Sequence, residues 1–206
     1  MLAHELTLTK SYKLIPTTYC REEIEDMLSL SAKELNVEKK ITELQDQWDS
    51  ECLHVCISDT KKPLLHPSET AELMEKLEDS IMLLNSLNSN RASIPYKKEL
   101  QVLLKSLVTV EETMQLWLST QSSWSHLEAV FSEGKIADQI PEAADRFLRL
   151  NVEYLKIIEH AREDPAIFSI CSSESMRNAF IWMSEELDVC QKSLTDFLGK
   201  SMSQLN

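Results

Sequence analysis

The sequence predicts an all-α fold, an elongated antiparallel helical bundle with one small β-hairpin. Three observations support this prediction. The sequence has only two glycines among its 206 residues, Gly134 and Gly199. Sheet-rich and nucleotide-binding folds use more glycine, in turns and phosphate loops. Apolar residues recur every three or four positions over long stretches, which is the period of an amphipathic helix. The composition, 43% apolar and 27% charged, is typical of a soluble folded chain.

The first half of the chain predicts two helices separated by the hairpin. Residues 1–19 stay unassigned, because Pro16 argues against a continuous helix. Residues 19–48 predict an amphipathic helix with a break near Asn36. Its apolar positions are Ile24, Met27, Leu28, Leu35, Ile41, Leu44 and Trp48. Apolar and polar residues alternate over 52–57 before Pro63, which predicts the hairpin. Pro67 and Ser68 open the second helix, and the polar residues 88–90 close it.

The second half predicts three helices. Pro95 precedes the longest periodic segment, which runs from Leu100 to Phe131. Some 35 residues at about 1.5 Å each make a rod of roughly 50 Å. A loop with a short helical turn follows. Pro141 then begins a helix that ends at Pro165, and Ser172 or Ser173 caps the last one.

The charge of the chain excludes several classes of partner. A net charge of −13 repels nucleic-acid phosphates and anionic lipids, so no nucleic-acid or membrane role is expected. No apolar run is long enough to span a bilayer, and the first residues do not have the pattern of a secretory signal. The five cysteines show no disulfide-framework spacing, so reduced thiols in a cytoplasmic protein are expected.

A search for chemistry predicts no catalytic residue, cofactor, metal ion or small-molecule substrate. The letters LGKS at 198–201 resemble the end of a phosphate-binding loop, but Leu194 stands where that pattern requires its first glycine. Cys52, His54 and Cys56 share one face of the predicted strand, and His66 could join them as metal ligands. Structural zinc sites prefer paired C-x-x-C knuckles, so an outer hairpin face with incidental cysteines is the simpler interpretation.

An unusual polar and aromatic stripe lies at the end of the longest helix. In a helix, five side chains of this segment fall on one face: Trp117, Gln121, Trp124, Glu128 and Phe131. The opposite face is rich in serine and threonine, which are mediocre helix formers, so packing of neighbouring helices around the two indoles must hold this segment.

The two polar residues of the stripe need partners if they are buried. We expect Glu128 to accept hydrogen bonds from backbone N–H groups around 132–136 or from a partner helix. Gln121 is expected to bond a polar group of a neighbouring helix. The alternative is that both side chains lie at the wet margin of the stripe.

The sequence resembles the linker region of dynein heavy chains, specifically of the outer-arm axonemal type, from about residue 12 to 198. The resemblance is carried by segments 75–91 (EKLEDSIMLLNSLNSNR), 117–147 (WLSTQSSWSHLEAVFSEGKIADQIPEAADRF) and 187–198 (LDVCQKSLTDFL), with further similarity at 19–41 and in LQDQWD. Within 117–147 the family pattern falls on these residues: Trp117, Gln121, Trp124, Leu127, Glu128, Phe131, Ile136, Gln139, Pro141 and Phe147. They are expected to form a structural packing motif rather than a catalytic site.

The resemblance implies a rod of packed helices that arches over the motor's ATPase ring and transmits force in microtubule-based movement. It implies no ATPase site in this chain, partners among other dynein heavy-chain regions or subunits, and a location on the axoneme of cilia. Residues 20–198 form the expected partial linker domain, between segment 1–19 and a divergent tail at 199–206.

Departures from the family pattern leave a second interpretation open. Lys135 replaces an expected acid, 150–154 (LNVEY) lacks the family's acid and indole, and the ending GKSMSQLN diverges. These differences predict a truncated or alternative product, or a short divergent paralogue. The alternative function is a stand-alone acidic helical adaptor that binds some other partner.

Overall fold

The computed structural model describes residues 17–58, 61–132 and 136–203. Predictions for 1–16, 59–60, 133–135 and 204–206 lie outside the described residues. The elements in chain order are α1 (Thr17–Ser50), β1 (Val55–Ile57), β2 (Pro63–Leu65), α2 (Pro67–Asn88), a 3₁₀ helix (Arg91–Tyr96), α3 (Lys97–Ser132), α4 (Pro141–Glu163), α5 (Ile167–Cys171) and α6 (Glu174–Ser203). The all-α prediction with one small hairpin is confirmed.

Helix α3 lies at the centre of the fold. It contacts α2 along one side and α6 along another, and it also touches α1, α4, α5 and the 3₁₀ helix. Its inward positions are apolar at helical spacing, so neighbours can pack on several sides of it. Leu107, Val110 and Met114 are fully buried in its middle. The 36 residues of this helix correspond to a length of about 54 Å.

Helix α1 differs from the prediction in two ways. It runs through Asn36 without a break, because Asn36 is followed by strong helix formers and by the core residues Val37 and Ile41. Its turns from 20 to 29 also lie outside the core, since every residue there is exposed, and Leu30 is the first residue that packs against the core. Ile24, Met27, Leu28 and Leu35 were predicted on the amphipathic face and are exposed instead.

The hairpin pairs Val55 with Leu65 and Ile57 with Pro63 in antiparallel register. Lys61 in its turn has a φ of 61°, in the left-handed region that non-glycine residues adopt infrequently. The chain before β1 is tied to the α4–α5 connection by a backbone bond of 2.7 Å from Leu53 N to Pro165 O. The hairpin is therefore anchored on the helices rather than standing by itself.

The helix boundaries follow local chemistry. His66, not Ser68, is the N-cap of α2, and its ring nitrogen accepts from the Glu69 N–H. Pro141 is the first residue of α4, as predicted. The Ser173 carbonyl accepts the Arg177 N–H at the start of α6. Helix α6 continues through Gly199 to Ser203.

A buried hydrogen bond joins α1 to α2. The Trp48 indole Nε1 donates to Ser80 Oγ at 3.0 Å, and Ser80 Oγ donates onward to the Lys76 carbonyl. Trp48 is fully buried and Ser80 is nearly so. Outside the core, the Lys76 ammonium contacts Oε1 of Glu51, the residue after α1, at 2.8 Å, so a buried and a more exposed polar contact join α2 to the end of α1 and to the residue that follows it.

Replacing Ser80 by alanine is expected to lower the free energy of unfolding by about 1–3 kcal/mol, because the Trp48 N–H loses its acceptor inside the core. Urea titration followed by tryptophan fluorescence measures the change. Ser86→Ala is the matched control, since Ser86 is an exposed serine of the same helix. Equal stability of the two variants would contradict this account.

Candidate functional site

Three aromatic rings of α3 form the centre of the site. Trp117, Trp124 and Phe131 are separated by seven residues each, which is about two helical turns. They pair with rings on two neighbouring helices, and we call the six residues the aromatic spine: Trp117 with Phe180, Trp124 with Tyr154, and Phe131 with Phe147. All six side chains are buried.

The spine fastens α3 to α6 and to α4. The Trp117 and Phe180 ring centroids lie 5.0 Å apart in a tilted arrangement. Trp124 stacks on Tyr154 at 4.3 Å, and Phe131 stacks on Phe147 at 5.3 Å. Such pairs contribute about 0.5–1.5 kcal/mol each beyond the burial of their area. The serine- and threonine-rich turns of α3 are thus held by packing.

The two indole N–H groups of the spine differ in their hydrogen bonding. Trp124 Nε1 donates to Asn151 Oδ1 of α4 at 3.0 Å. Trp117 Nε1 is buried without a hydrogen bond of ordinary geometry. Burial raises the pKa of the Tyr154 hydroxyl, and the nearby Trp117 N–H opposes that rise in part. Tyr154 therefore stays protonated and available as a hydrogen-bond donor.

Gln121 joins three elements. Its Oε1 accepts from the Tyr154 hydroxyl of α4 at 2.9 Å and from the Leu65 backbone N–H of β2 at 2.9 Å. The bond to a polar group on a neighbouring helix confirms the expectation. The bond to the hairpin was not predicted. Because the half-buried Gln121 accepts both bonds with one side-chain oxygen, that oxygen fixes the positions of the hairpin and of α4 on α3.

Glu128 is buried and ion-paired. It is 7% exposed, which excludes the wet-margin alternative for this residue. Its Oε1 lies 2.8 Å from Lys62 Nζ in the hairpin turn and accepts from the Ser132 hydroxyl. Residues 133–135, where backbone donors were expected, lie outside the described residues. Among those described, the donors to Glu128 are the side chains of Lys62 and of Ser132, which is one helical turn away. Burial pushes the pKa of Glu128 up, but the Lys62 and Ser132 hydrogen bonds and the Lys62 charge outweigh it and lower the pKa.

The remaining residues of the predicted motif separate into packed and exposed positions. Leu127 is fully buried, and Ile136 packs partly buried against the core. Gln139 and Pro141 are exposed and do not join the packing. Gln139 N–H donates to the Ile136 carbonyl in the turn before α4, and Pro141 begins that helix. Their part is to direct the chain into α4.

Sequence reasoning did not single out Lys62 or Asn151. Both are polar residues whose role depends on elements distant in the chain, so neither period nor local spacing identifies them. The sequence gives one weak indication of the role of Asn151: it directly follows Leu150, a residue that was predicted to face the core and is buried.

The site has the character of a structural junction. Burial raises the pKa of Cys171 to about 12 and raises that of Cys190, which disfavours the nucleophilic thiolate.

His54, considered above as a metal ligand, is engaged with a carboxylate: its Nδ1 lies 2.8 Å from Glu69 Oε2. Within the described ranges, no group of three His, Cys, Asp or Glu side chains could hold a metal ion, and no helix there is long and apolar enough to cross a bilayer.

Comparison with known sequences identifies the family. The sequence model described as "Dynein heavy chain, N-terminal region 2" matches residues 2–204. The chain belongs to the dynein heavy chain family. It is 38% identical over 209 residues to the dynein gamma chain, flagellar outer arm, of Chlamydomonas reinhardtii, covering 98% of this chain and 5% of that protein.

Two mammalian relatives agree with this assignment. Dynein axonemal heavy chain 5 of Rattus norvegicus is 35% identical over 90% of this chain and 5% of its own length. Dynein axonemal heavy chain 8 of Homo sapiens is 37% identical over 87% of this chain and 4% of its own length. This dynein-family chain thus spans about one twentieth of the curated relatives it matches.

In this dynein-family chain, Gln121→Leu is expected to lower the free energy of unfolding by about 2–4 kcal/mol. The change keeps the side-chain volume similar but leaves the Leu65 N–H and the Tyr154 hydroxyl without their acceptor. Guanidinium titration measures the loss. Gln115→Leu provides the control, because Gln115 is exposed on the same helix and its variant should differ by under about 0.5 kcal/mol. Similar losses in both variants would refute the role of the junction.

The Lys62–Glu128 pair predicts a pH-dependent contribution to stability. The folded-state pKa of Glu128 is below its ordinary value of 4.5, so the carboxylate stabilises the fold above about pH 4.5 and loses that contribution as pH falls through its lower folded value. Glu128→Gln should therefore cost about 1–2 kcal/mol at pH 7 and less at pH 3.

Unfolding curves of the wild type and of Glu128→Gln between pH 3 and 7 check this. Glu185→Gln, at an exposed position of α6, serves as the control and should track the wild type. A constant gap between Glu128→Gln and the wild type at every pH would count against the ion pair.

Proposed function

We propose that this chain is part of the linker of an axonemal dynein heavy chain, a helical rod that transmits force in microtubule-based movement. The proposal is supported by the match to an N-terminal region of dynein heavy chains and by relatives whose names place them in the axoneme and the flagellar outer arm. The partners are then other regions of a dynein heavy chain or other dynein subunits, and the location is the ciliary axoneme.

The observation that carries the proposal is the aromatic spine along α3. A rod that transmits load must resist both stretching along its axis and sliding between its helices. Backbone hydrogen bonds stiffen the 36-residue α3 along its axis. Three ring pairs, spaced two turns apart, lock it sideways against α4 and α6, and close-packed interiors transmit strain rather than absorb it.

Directional polar contacts add register to this stiffness. The Trp124–Asn151 bond and the two bonds of Gln121 join α3 to α4 and β2 at distances of 2.9–3.0 Å. A slip of one helical turn, about 5.4 Å, would break all of them together. The helices should therefore respond to load as one body.

A second part of the proposal is that nucleotide hydrolysis belongs to other parts of the motor. The LGKS letters that resemble a phosphate loop lie inside α6. Leu194, in the position of the first glycine, is buried. In a helix interior the backbone N–H groups already bond to carbonyls, whereas a phosphate loop needs them free. The chain is proposed to act without ATPase activity of its own.

The second candidate is a stand-alone acidic adaptor. The exposed apolar residues on the first half of α1 and the net charge of −13 favour it, because both features suit binding to another protein. Affinity purification of the chain from ciliated cells distinguishes the two. Dynein heavy chains among the partners support the linker, while one other complex without dynein subunits supports the adaptor.

A chimeric motor tests the linker proposal directly. The matching stretch of the Chlamydomonas gamma heavy chain is replaced by residues 2–204 of this chain, and microtubule gliding and ATP turnover are measured together. We expect the chimera to glide microtubules. Gln121→Leu in the chimera should reduce gliding velocity several-fold while ATP turnover is kept, because the rod is loosened and the ring is untouched.

Gln115→Leu is the matched control in the chimera and should glide at the unsubstituted velocity. A chimera that assembles and hydrolyses ATP but does not move microtubules would refute the linker proposal. Equal gliding by the Gln121→Leu and Gln115→Leu chimeras would refute the role of the spine in transmission.

A further inference from the structure

Residues 24–35 of α1 carry a second apolar stripe that the fold does not cover. Ile24, Met27, Leu28 and Leu35 are 56–67% exposed. At about 100° per residue these four side chains fall within one face of the helix. The buried residues Val37, Ile41, Leu44 and Trp48 point on average about 130° away from the stripe, and they pack against the body together with the partly buried Leu30.

The spacing of this stripe suits another helix. Ile24, Leu28 and Leu35, with the small Ser31 between them, follow the 4-3-4 spacing of a coiled-coil seam. Every residue from 20 to 29 is exposed, so the stripe is accessible to a partner helix over these turns, and Leu30 is the next residue along that packs against the core. A contiguous exposed apolar face of this kind marks an interaction site.

The charges beside the stripe indicate the sign of the partner. One flank carries Glu23 and Glu34, and Glu38 on the same flank accepts a hydrogen bond from the Tyr96 hydroxyl at 3.0 Å. On the other flank, both basic side chains are already paired within the helix, Arg21 with Glu25 at 3.0 Å and Lys39 with Glu43 at 3.5 Å. Residues 20–43 hold four basic and seven acidic side chains, so the surface around the stripe has a net charge of −3.

A second copy of the chain fits this surface poorly. Two chains of net charge −13 repel each other. The surface around the stripe has a net charge of −3 over residues 20–43, so pairing two copies of it would bring like charges together, whereas a basic helix would not.

We propose that the stripe of Ile24, Met27, Leu28 and Leu35 is a docking surface for a basic amphipathic helix of another polypeptide. Apolar side chains of the partner pack on the stripe, and lysine or arginine side chains beside them meet Glu23 and Glu34. The proposal does not depend on the linker function, because it rests on the exposure and charge of α1 alone.

The test uses a synthetic three-heptad peptide with leucine at positions a and d and lysine at e and g, and a matched peptide with glutamate at e and g. Fluorescence anisotropy with the full chain measures binding. We expect the lysine peptide to bind and the glutamate peptide to bind at least tenfold more weakly. Binding of the lysine peptide should weaken further as salt is raised.

Variants locate the site. Leu28→Ser with Leu35→Ser should weaken binding of the lysine peptide by roughly tenfold or more, and Glu23→Gln with Glu34→Gln should weaken it several-fold at low salt. Leu148→Ser with Val152→Ser removes two exposed apolar side chains of α4 and is the matched control, expected to bind as the wild type does. Unchanged melting temperatures establish that all variants fold.

Several outcomes overturn the proposal. The proposal is wrong if the lysine peptide does not bind the wild type. It is also wrong if the Leu28/Leu35 variant binds the peptide as tightly as the Leu148/Val152 variant does. Light scattering that shows a dimer lost in the Leu28/Leu35 variant would assign the stripe to a second copy. Increased lysine-peptide binding after deletion of residues 1–16 would assign it to the chain's own first segment. None of these results changes the gliding test of the linker function.

Discussion

The structure depends on the need to satisfy polar groups on the packed face of α3. Gln121 and Glu128 share that face with Trp117 and Trp124, and no apolar neighbour could satisfy an amide or a carboxylate. Each polar group therefore determines which element lies beside it. Gln121 accepts hydrogen bonds from the N–H of Leu65 in β2 and from the Tyr154 hydroxyl, and Glu128 pairs with the ammonium group of Lys62 in the hairpin turn. These requirements place the hairpin and α4 more narrowly than hydrophobic contact alone, which is non-directional.

The same constraint separates rigid from open parts of the chain. The end of α3 has aromatic pairs, buried hydrogen bonds and an ion pair within a few turns, so its neighbours have one favourable arrangement. The turns of α1 from 20 to 29 are exposed, and Ile24, Met27 and Leu28 face outward there. A dynein heavy chain segment built in this way combines a stiff body with an accessible face, and the two proposals concern these two parts separately.

Sequence reasoning predicted the elements whose signals are local. Long apolar periods identified the long helices, Pro141 marked a helix start, and alternation identified the hairpin. It failed where the deciding contact is distant or the element is short. Helix α5 has only five residues, too few for a period. Whether α1 is covered depends on which elements reach it, and periodicity cannot report that. The partner of Glu128 is a lysine on the hairpin turn, which no spacing within α3 indicates.

The hairpin has only three residues in each strand, too few to persist in water without support. Its order derives from Pro165 and Gln121, and the latter is 56 residues from its strand partner. Contacts between such distant residues form only after the intervening chain has been arranged. We therefore expect strand pairing to follow the packing of α3 and of the α4–α5 connection, so a variant with weakened helix packing should lose the sheet as well.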